Sequence, residues 1–173
     1  IIINNYKYKE LSKMNEIAQK TVLISGGAGS MGQLVSDYIS SRNDFIMTAI
    51  HDPNYDGQEY KIYKDLTNIE EDIVVEFSPA SVINKNIKKL LDSNADLIIG
   101  SSGVSAEMLS KLKKTIDRKI IVIPNFSIGA AYQKLFAASL SENFDSVNIT
   151  EKHHGKKQDA PSGTAIDLSL IHI

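Results

Sequence analysis

A short β-prone run, Thr21–Ser25, leads straight into Gly26-Gly27-Ala28-Gly29-Ser30-Met31-Gly32. Leu34, Val35, Tyr38 and Ile39 then recur at helical spacing. Strand, glycine turn and helix in immediate succession leave few folds open. Glycines permit the tight turn and let backbone approach a pyrophosphate, which the N–H groups and dipole of the helix start then stabilise. The spacing departs from G-x-G-x-x-G, because Ala28 stands at the second glycine unless Gly27 takes its place. A ligand-free turn would also use such glycines. With further βα units following, the setting favours dinucleotide binding.

Those units are legible along the chain. Phe45–Ile50 reads as a second strand, 51–59 as a polar loop with Pro53 and Gly57, and Tyr60–Tyr63 as a short strand. Asp72–Phe77 is the next strand, its Ile73, Val74 and Val75 contiguous as in a sheet covered on both faces. Val82, Ile83, Ile87, Leu90 and Leu91 form a helical stripe. Leu97–Gly100 reads as a strand, Met108, Leu109 and Leu112 as helix, and Lys119–Ile123 as strand. An Ala-rich helix over Ile128–Leu140, a strand at Val147–Glu151 and a helix from Ser162 complete the pattern. The alternation predicts an α/β fold, a Rossmann-like doubly wound parallel sheet.

Bulk properties narrow the function. A formal charge of −2 gives no footprint for nucleic acid or an anionic membrane, and no apolar run is long enough to span a bilayer. The absence of Cys excludes disulfides, thiol nucleophiles and cysteine-ligated zinc, and it is compatible with a reducing compartment. No metal is expected, since no Glu or His stands at a convincing helical ligand spacing with the His pair at 153–154.

The second strand ends Ile50-His51-Asp52. An acidic residue roughly 20 residues past the glycines suits the ribose of NAD, whereas an Arg would receive the phosphate of NADP. Asp52 therefore favours NADH over NADPH, although it also suits the start of an Asp-Pro turn. The loops Phe77-Ser78-Pro79 and Gly100-Ser101-Ser102-Gly103 follow strand ends, where such sheets bind ligands. Helix N-caps would use the same small residues.

The segment Glu151-Lys-His-His-Gly-Lys-Lys-Gln-Asp-Ala-Pro-Ser-Gly-Thr164 gathers proton donors, cations and a helix start. A His is a suitable general acid near neutral pH, and Lys157 can pair a carboxylate. The first N–H groups of the helix, at Gly163 and Thr164, suit a second carboxylate. A solvated basic loop with Ser162 as N-cap is the plainer alternative.

This segment resembles the signature of the dihydrodipicolinate reductase family. Gly26-x-x-Gly29-x-Met31-Gly32, Glu76-Phe77-Ser78, Gly100-Ser101-Ser102-Gly103 and Pro124-Asn125-Phe126-Ser127-Ile128-Gly129 follow the family's order, so the resemblance covers roughly 20–166. It implies a cytoplasmic enzyme of lysine and diaminopimelate biosynthesis. Such an enzyme passes a hydride from NADH or NADPH to a cyclic dicarboxylate, with loss of water, giving tetrahydrodipicolinate; the alternatives are an inactive NAD(H)-binding fragment or another dehydrogenase on the same scaffold. By the resemblance His153 is the proton donor and Lys157 the second catalytic group, while His154, Gly163 and Thr164 bind substrate carboxylates. The cofactor would meet Gly26, Gly27, Ala28, Gly29, Ser30, Met31, His51, Asp52, Gly100, Ser101, Ser102, Pro124, Asn125 and Phe126.

The chain departs from the pattern at several points. Ser30 and Asp52 stand where many members carry basic residues, which again favours NADH; Glu76 replaces the usual Asp, and Pro79 an occasional Arg. The expected organisation is a tail over 1–19, a dinucleotide-binding domain over 20–127, and over 128–173 the start of an incomplete α+β substrate domain. Met14 is a plausible start, and Leu168–Ile173 stops without a helix-ending signal, so truncation is expected, leaving apolar surface exposed; for the full-length protein the resemblance implies a homotetramer.

Overall fold

In the computed structural model, residues 18–123, 125–153 and 161–170 are described. They form β1 (Lys20–Ser25), α1 (Ser30–Ser40), β2 (Phe45–His51), β3 (Lys61–Ile62), β4 (Ile73–Glu76) and α2 (Ile83–Leu90). After these come β5 (Asp96–Ile99), α3 (Ala106–Lys114), β6 (Ile120–Val122), α4 (Ile128–Ser141) and α5 (Gly163–Ser169). The strands make one six-stranded sheet in the order β3-β2-β1-β4-β5-β6, with every pairing parallel. The order reverses between β1 and β4, so a crevice opens beyond their carboxyl ends. No helix among the described residues is long and apolar enough to cross a membrane.

The sheet has an apolar layer on each face. On one, Leu23, Ala49, Val74, Leu97 and Ile99 pack against Ile83, Ile87 and Leu90 of α2 and Met108 and Leu112 of α3. On the other, Val22, Ile24, Met47, Ile50 and Val75 pack with Ile39 of α1. Each fully buried aliphatic side chain here contributes about 1.5–3 kcal/mol, which holds these short strands in place. The stripe of α2 is the clearest case: Ile83, Ile87 and Leu90 are all fully buried, as their spacing predicts. Helix α3 is defined by local signals, with Ser105 Oγ accepting from the Met108 N–H and lysines in the last turn.

The sheet has one irregularity. The pairing of β1 with β2 slips between Val22 and Leu23, so Met47 and Ala49 oppose consecutive residues and Thr48 is the extra one. The bulge puts Ile50 on the α1 side and Ala49 on the α2 side. His51 follows Ala49 onto the α2 side.

The strand expected at Val147–Glu151 does not form: residues 145–153 have no regular structure. A strand needs a neighbour for its N–H and C=O groups, and none of the described strands lies beside it. Helix α4 forms as its Ala-rich sequence predicts, yet Ile128, Leu135, Phe136 and Leu140 remain exposed.

Candidate functional site

The glycine turn is held by its surroundings. Gly26 has φ of +81°, and a Cβ there would lie 2.8 Å from the Phe77 carbonyl carbon. A Cβ at Gly32 would lie 2.4 Å from the Gly26 oxygen, so α1 can start this close to β1 only without one. The start of α1 is bare. Gly29 is its N-cap with no side-chain cap, no acidic residue lies in the first turn, and the first helical bond is from Gln33 N–H to the Gly29 carbonyl. The N–H groups of Ser30, Met31 and Gly32 thus have no acceptor within the helix. Bare N–H groups and an uncompensated dipole fit a pyrophosphate.

Asp52 closes the turn from the second strand. Its Oδ2 accepts from the Ala28 N–H at 3.0 Å and its Oδ1 from the Asn54 N–H at 2.8 Å. The carboxylate therefore braces the glycine turn and begins the Asp-Pro turn at once. Each oxygen keeps a lone pair for a ribose hydroxyl.

Gly26, Ala28, Gly29, His51 and Asp52 line a cavity of about 1030 Å³ at the switch point, together with Phe77, Ser78 and Pro79. Gly27 faces inward, where a Cβ would meet Ile50. Lys64 and Lys85 also line the cavity; with Lys89, paired to Asp65 at 2.6 Å, they come from β3's loop and α2. Sequence inspection near Asp52 misses these cations, because only the sheet order brings them there.

A row of polar groups lies beneath the cavity. Ser25 stands opposite His51 on one side and Glu76 on the other, all at strand ends. Ser25 Oγ is 2.9 Å from His51 Nδ1 and 3.0 Å from Ser78 Oγ. Glu76, fully buried, accepts from the Ser78 N–H at 2.6 Å and from Asn86 Nδ2 at 3.3 Å. Burial holds the His51 imidazole below its ordinary pKa, against the opposing pull of Glu76 and Asp52. Ser78 belongs to the Glu76-Phe77-Ser78 motif, whereas Ser25 and Asn86 carried no motif signal, since Ser and Asn are common residues.

The other candidates gather at a second locus. Gly100 sits under aromatic rings: a Cβ there would lie 2.3 Å from Phe77 and 2.5 Å from Phe126. Those two rings pack edge to face at 5.5 Å. Ser101 is buried, its Oγ donating to the Glu76 carbonyl, while Ser102 is exposed. Asn125 Nδ2 donates to Thr164 Oγ1 at 3.0 Å, which ties this loop to the start of α5. There Ser162 caps the helix by accepting from the Ala165 N–H, and space is open at Gly163.

His153 is placed by a residue that motif reading passed over. Glu151 Oε2 lies 3.1 Å from His153 Nε2, and Oε1 accepts from the Ser162 N–H at 2.8 Å. Hydrogen bonding from Ser162, with a lesser part from His153, holds the Glu151 carboxyl below its usual pKa. One carboxylate thus connects the His to the helix start. Pro124, His154 and Lys157 lie outside the described residues.

Comparison with known proteins bears on the same two loci. A family model for dihydrodipicolinate reductase, N-terminus, matches residues 20–126, and one for its C-terminus matches 128–171. The chain belongs to the dihydrodipicolinate reductase family. Relatives include the 4-hydroxy-tetrahydrodipicolinate reductase of Streptococcus pneumoniae (strain Hungary19A-6), 33% identical over 159 residues, or 87% of this chain and 62% of that one. The protein of that name from Dictyoglomus turgidum is 30% identical, over 85% of this chain and 60% of its own length. A dipicolinate-bound dihydrodipicolinate reductase from Paenisporosarcina sp. TG-14 superposes with TM-score 0.67 at 27% identity, over 89% of this chain and 65% of that one. The chain therefore spans about 62% of the length of the first of these reductases. Its six-stranded sheet with α1, α2 and α3 is the Rossmann-like part of the dihydrodipicolinate reductase fold.

Proposed function

We propose that this chain carries the cofactor site and proton-donor segment of a 4-hydroxy-tetrahydrodipicolinate reductase. The substrate is a cyclic dicarboxylate, the product tetrahydrodipicolinate, and the place lysine and diaminopimelate biosynthesis. The observation that carries this reading is the Asn125–Thr164 hydrogen bond at 3.0 Å. It joins the loop at the cofactor end to the helix start that would hold the substrate.

The dinucleotide, when bound, supplies the hydride. The chain's residues do the rest. Ser30 and Met31 offer bare N–H groups to the pyrophosphate, with Gly26–Gly29 giving close approach. Asp52 and His51 meet the ribose. Gly100, Ser101, Ser102, Pro124, Asn125 and Phe126 surround the nicotinamide end. His154, Gly163 and Thr164 bind the substrate carboxylates, and Lys157 pairs with developing negative charge. His153 protonates the substrate. Because Nε2 faces Glu151 at 3.1 Å, the proton handed over is the one that the doubly protonated ring carries on Nδ1, leaving the neutral ring with Nε2–H towards Glu151. Asp52 favours NADH, and Lys64 and Lys85 are the groups that would oppose it by receiving a phosphate. The protein works in the cytoplasm as a homotetramer.

The test is a coupled assay in which dihydrodipicolinate synthase supplies substrate and nucleotide oxidation is followed. It is run on this chain and on the product of its whole reading frame. His153→Ala should lower turnover by about 10²–10⁴-fold with NADH binding kept, the range of general acid catalysis. A whole-frame product inactive with both nucleotides defeats the proposal. Tighter binding of NADPH than NADH defeats the cofactor preference alone.

A further inference from the structure

We propose that the buried polar row donates hydrogen bonds in one direction only, fixing His51 as its Nε2–H tautomer. His51 is then a positioning residue that offers an N–H to the ribose end of the dinucleotide. The ligand half of this inference rests on reading the cavity as a dinucleotide site.

The direction follows from counting hydrogens. Both Glu76 oxygens act as acceptors, one from the Ser78 N–H and one from Asn86 Nδ2. The same Asn86 nitrogen lies 3.0 Å from Ser78 Oγ, and an amide NH2 can only donate. Ser78 Oγ accepts there, so its single hydrogen is left for Ser25 Oγ at 3.0 Å. Ser25 accepts from Ser78, and its own hydrogen goes to His51 Nδ1 at 2.9 Å. Nδ1 is therefore an acceptor, and a neutral ring carries its proton on Nε2. Burial, which disfavours the charged ring, agrees, because a charged ring would turn an Nδ1–H onto another donor.

The fold puts the far edge of the ring to use. His51 lines the cavity beside Asp52. Among the described residues, Nε2 has no hydrogen-bond partner. Asp52 can only accept, so together the two side chains offer both polarities to a ribose hydroxyl. The Thr48 bulge is what carries His51 to the face where Ser25, Glu76 and Asn86 lie.

Glu76→Gln tests the direction at constant volume. It faces an amide NH2 towards the Asn86 NH2, so Asn86 turns its oxygen inward and each bond in the row reverses. Ser78 then donates to Asn86, Ser25 to Ser78, and His51 Nδ1–H to Ser25. Imidazole nitrogen NMR on the nucleotide-free 173-residue chain reads this directly. The expected result is Nε2–H in the wild type and Nδ1–H in E76Q. In E76Q, NADPH affinity should fall about tenfold, the size of one lost hydrogen bond to a charged group, and NADH affinity only about threefold. A hydroxyl can turn to donate to a bare nitrogen, whereas a phosphate oxygen cannot. Should E76Q fail to fold, Ser25→Ala should leave His51 as a mixture of tautomers.

An Nδ1–H wild type, or one tautomer shared by the wild type and the variants, overturns the inference. A tautomer switch that leaves both affinities unchanged overturns the ligand half. A wild-type chain that binds neither nucleotide overturns the dinucleotide reading itself, while the spectrum still decides the direction of the row.

Discussion

The sheet region and the segment after β6 use hydrophobic sequence in opposite ways. From β1 to β6 the apolar residues bury one another, with Leu23, Ile24, Val74, Ile83, Ile87 and Leu90 at 0% exposure. In α4 and beyond, Ile128 is 74% exposed, Phe136 63% and Phe144 60%, and among the described residues nothing covers them. Both regions form helices where local sequence predicts them. The difference teaches that a helix follows from local signals, whereas a core needs a partner of matching shape.

The contrast breaks most easily at its core. Leu23→Ala should destabilise the chain by about 2–5 kcal/mol, while Phe136→Ala should stay within about 0.5 kcal/mol. Urea denaturation of both variants checks this, and equal losses would erase the distinction between the regions. Next in size is Gly32→Ala. The new Cβ must displace the Gly26 oxygen or the Gly27 backbone, at about 1–3 kcal/mol, and the displaced turn should bind NADH more weakly. Calorimetry with NADH reads both; an unchanged melting temperature would mean that the close approach of α1 to β1 is dispensable.

A smaller and more local effect is expected in the second region. Glu151→Ala removes the acceptor for Ser162 N–H and the partner of His153. Amide exchange should quicken at 162–166, with no change in the sheet. Exchange rising across the whole chain would show that the two regions unfold together. The smallest expected effect is a pH dependence from the buried ring. Burial places the His51 pKa below its unfolded value of about 6.5, so the unfolded chain binds the proton first. Stability from this group is complete above that value and declines as pH falls towards the depressed folded pKa. Denaturation midpoints at pH 7 and pH 5.5 should differ, and His51→Asn should narrow the gap. A gap of the same size in the variant would assign it to other groups.

Reading the chain in one dimension reached the glycine turn, Asp52 and the βα order, because each rests on short-range rules. A positive-φ Gly26, a strand before it and a helical stripe after it are properties of neighbours in sequence. The same reading proposed a strand at Val147–Glu151 that does not form, since β structure depends on a second strand rather than on propensity. It also passed over Glu151, whose contacts with His153 and Ser162 link residues two and eleven positions away. Lys64 and Lys85 illustrate the same limit. They lie far from Asp52 in sequence and share its cavity only because β3 and α2 flank the switch point.

By itself, the sequence determined the alternation of strands and helices, the bare helix start after the glycines and the family signature near its end. These depend on periodicity, on backbone freedom at glycine and on residues adjacent in the chain. Only the tertiary structure decided that His51, Ser25, Ser78, Asn86 and Glu76 form one connected row. Their neighbourhood comes from the parallel register of three strands, a one-residue bulge at Thr48 and the packing of α2, which carries Asn86, on that face. A slip of one residue turns every side chain of a strand to the other face, so no local pattern could have placed that row.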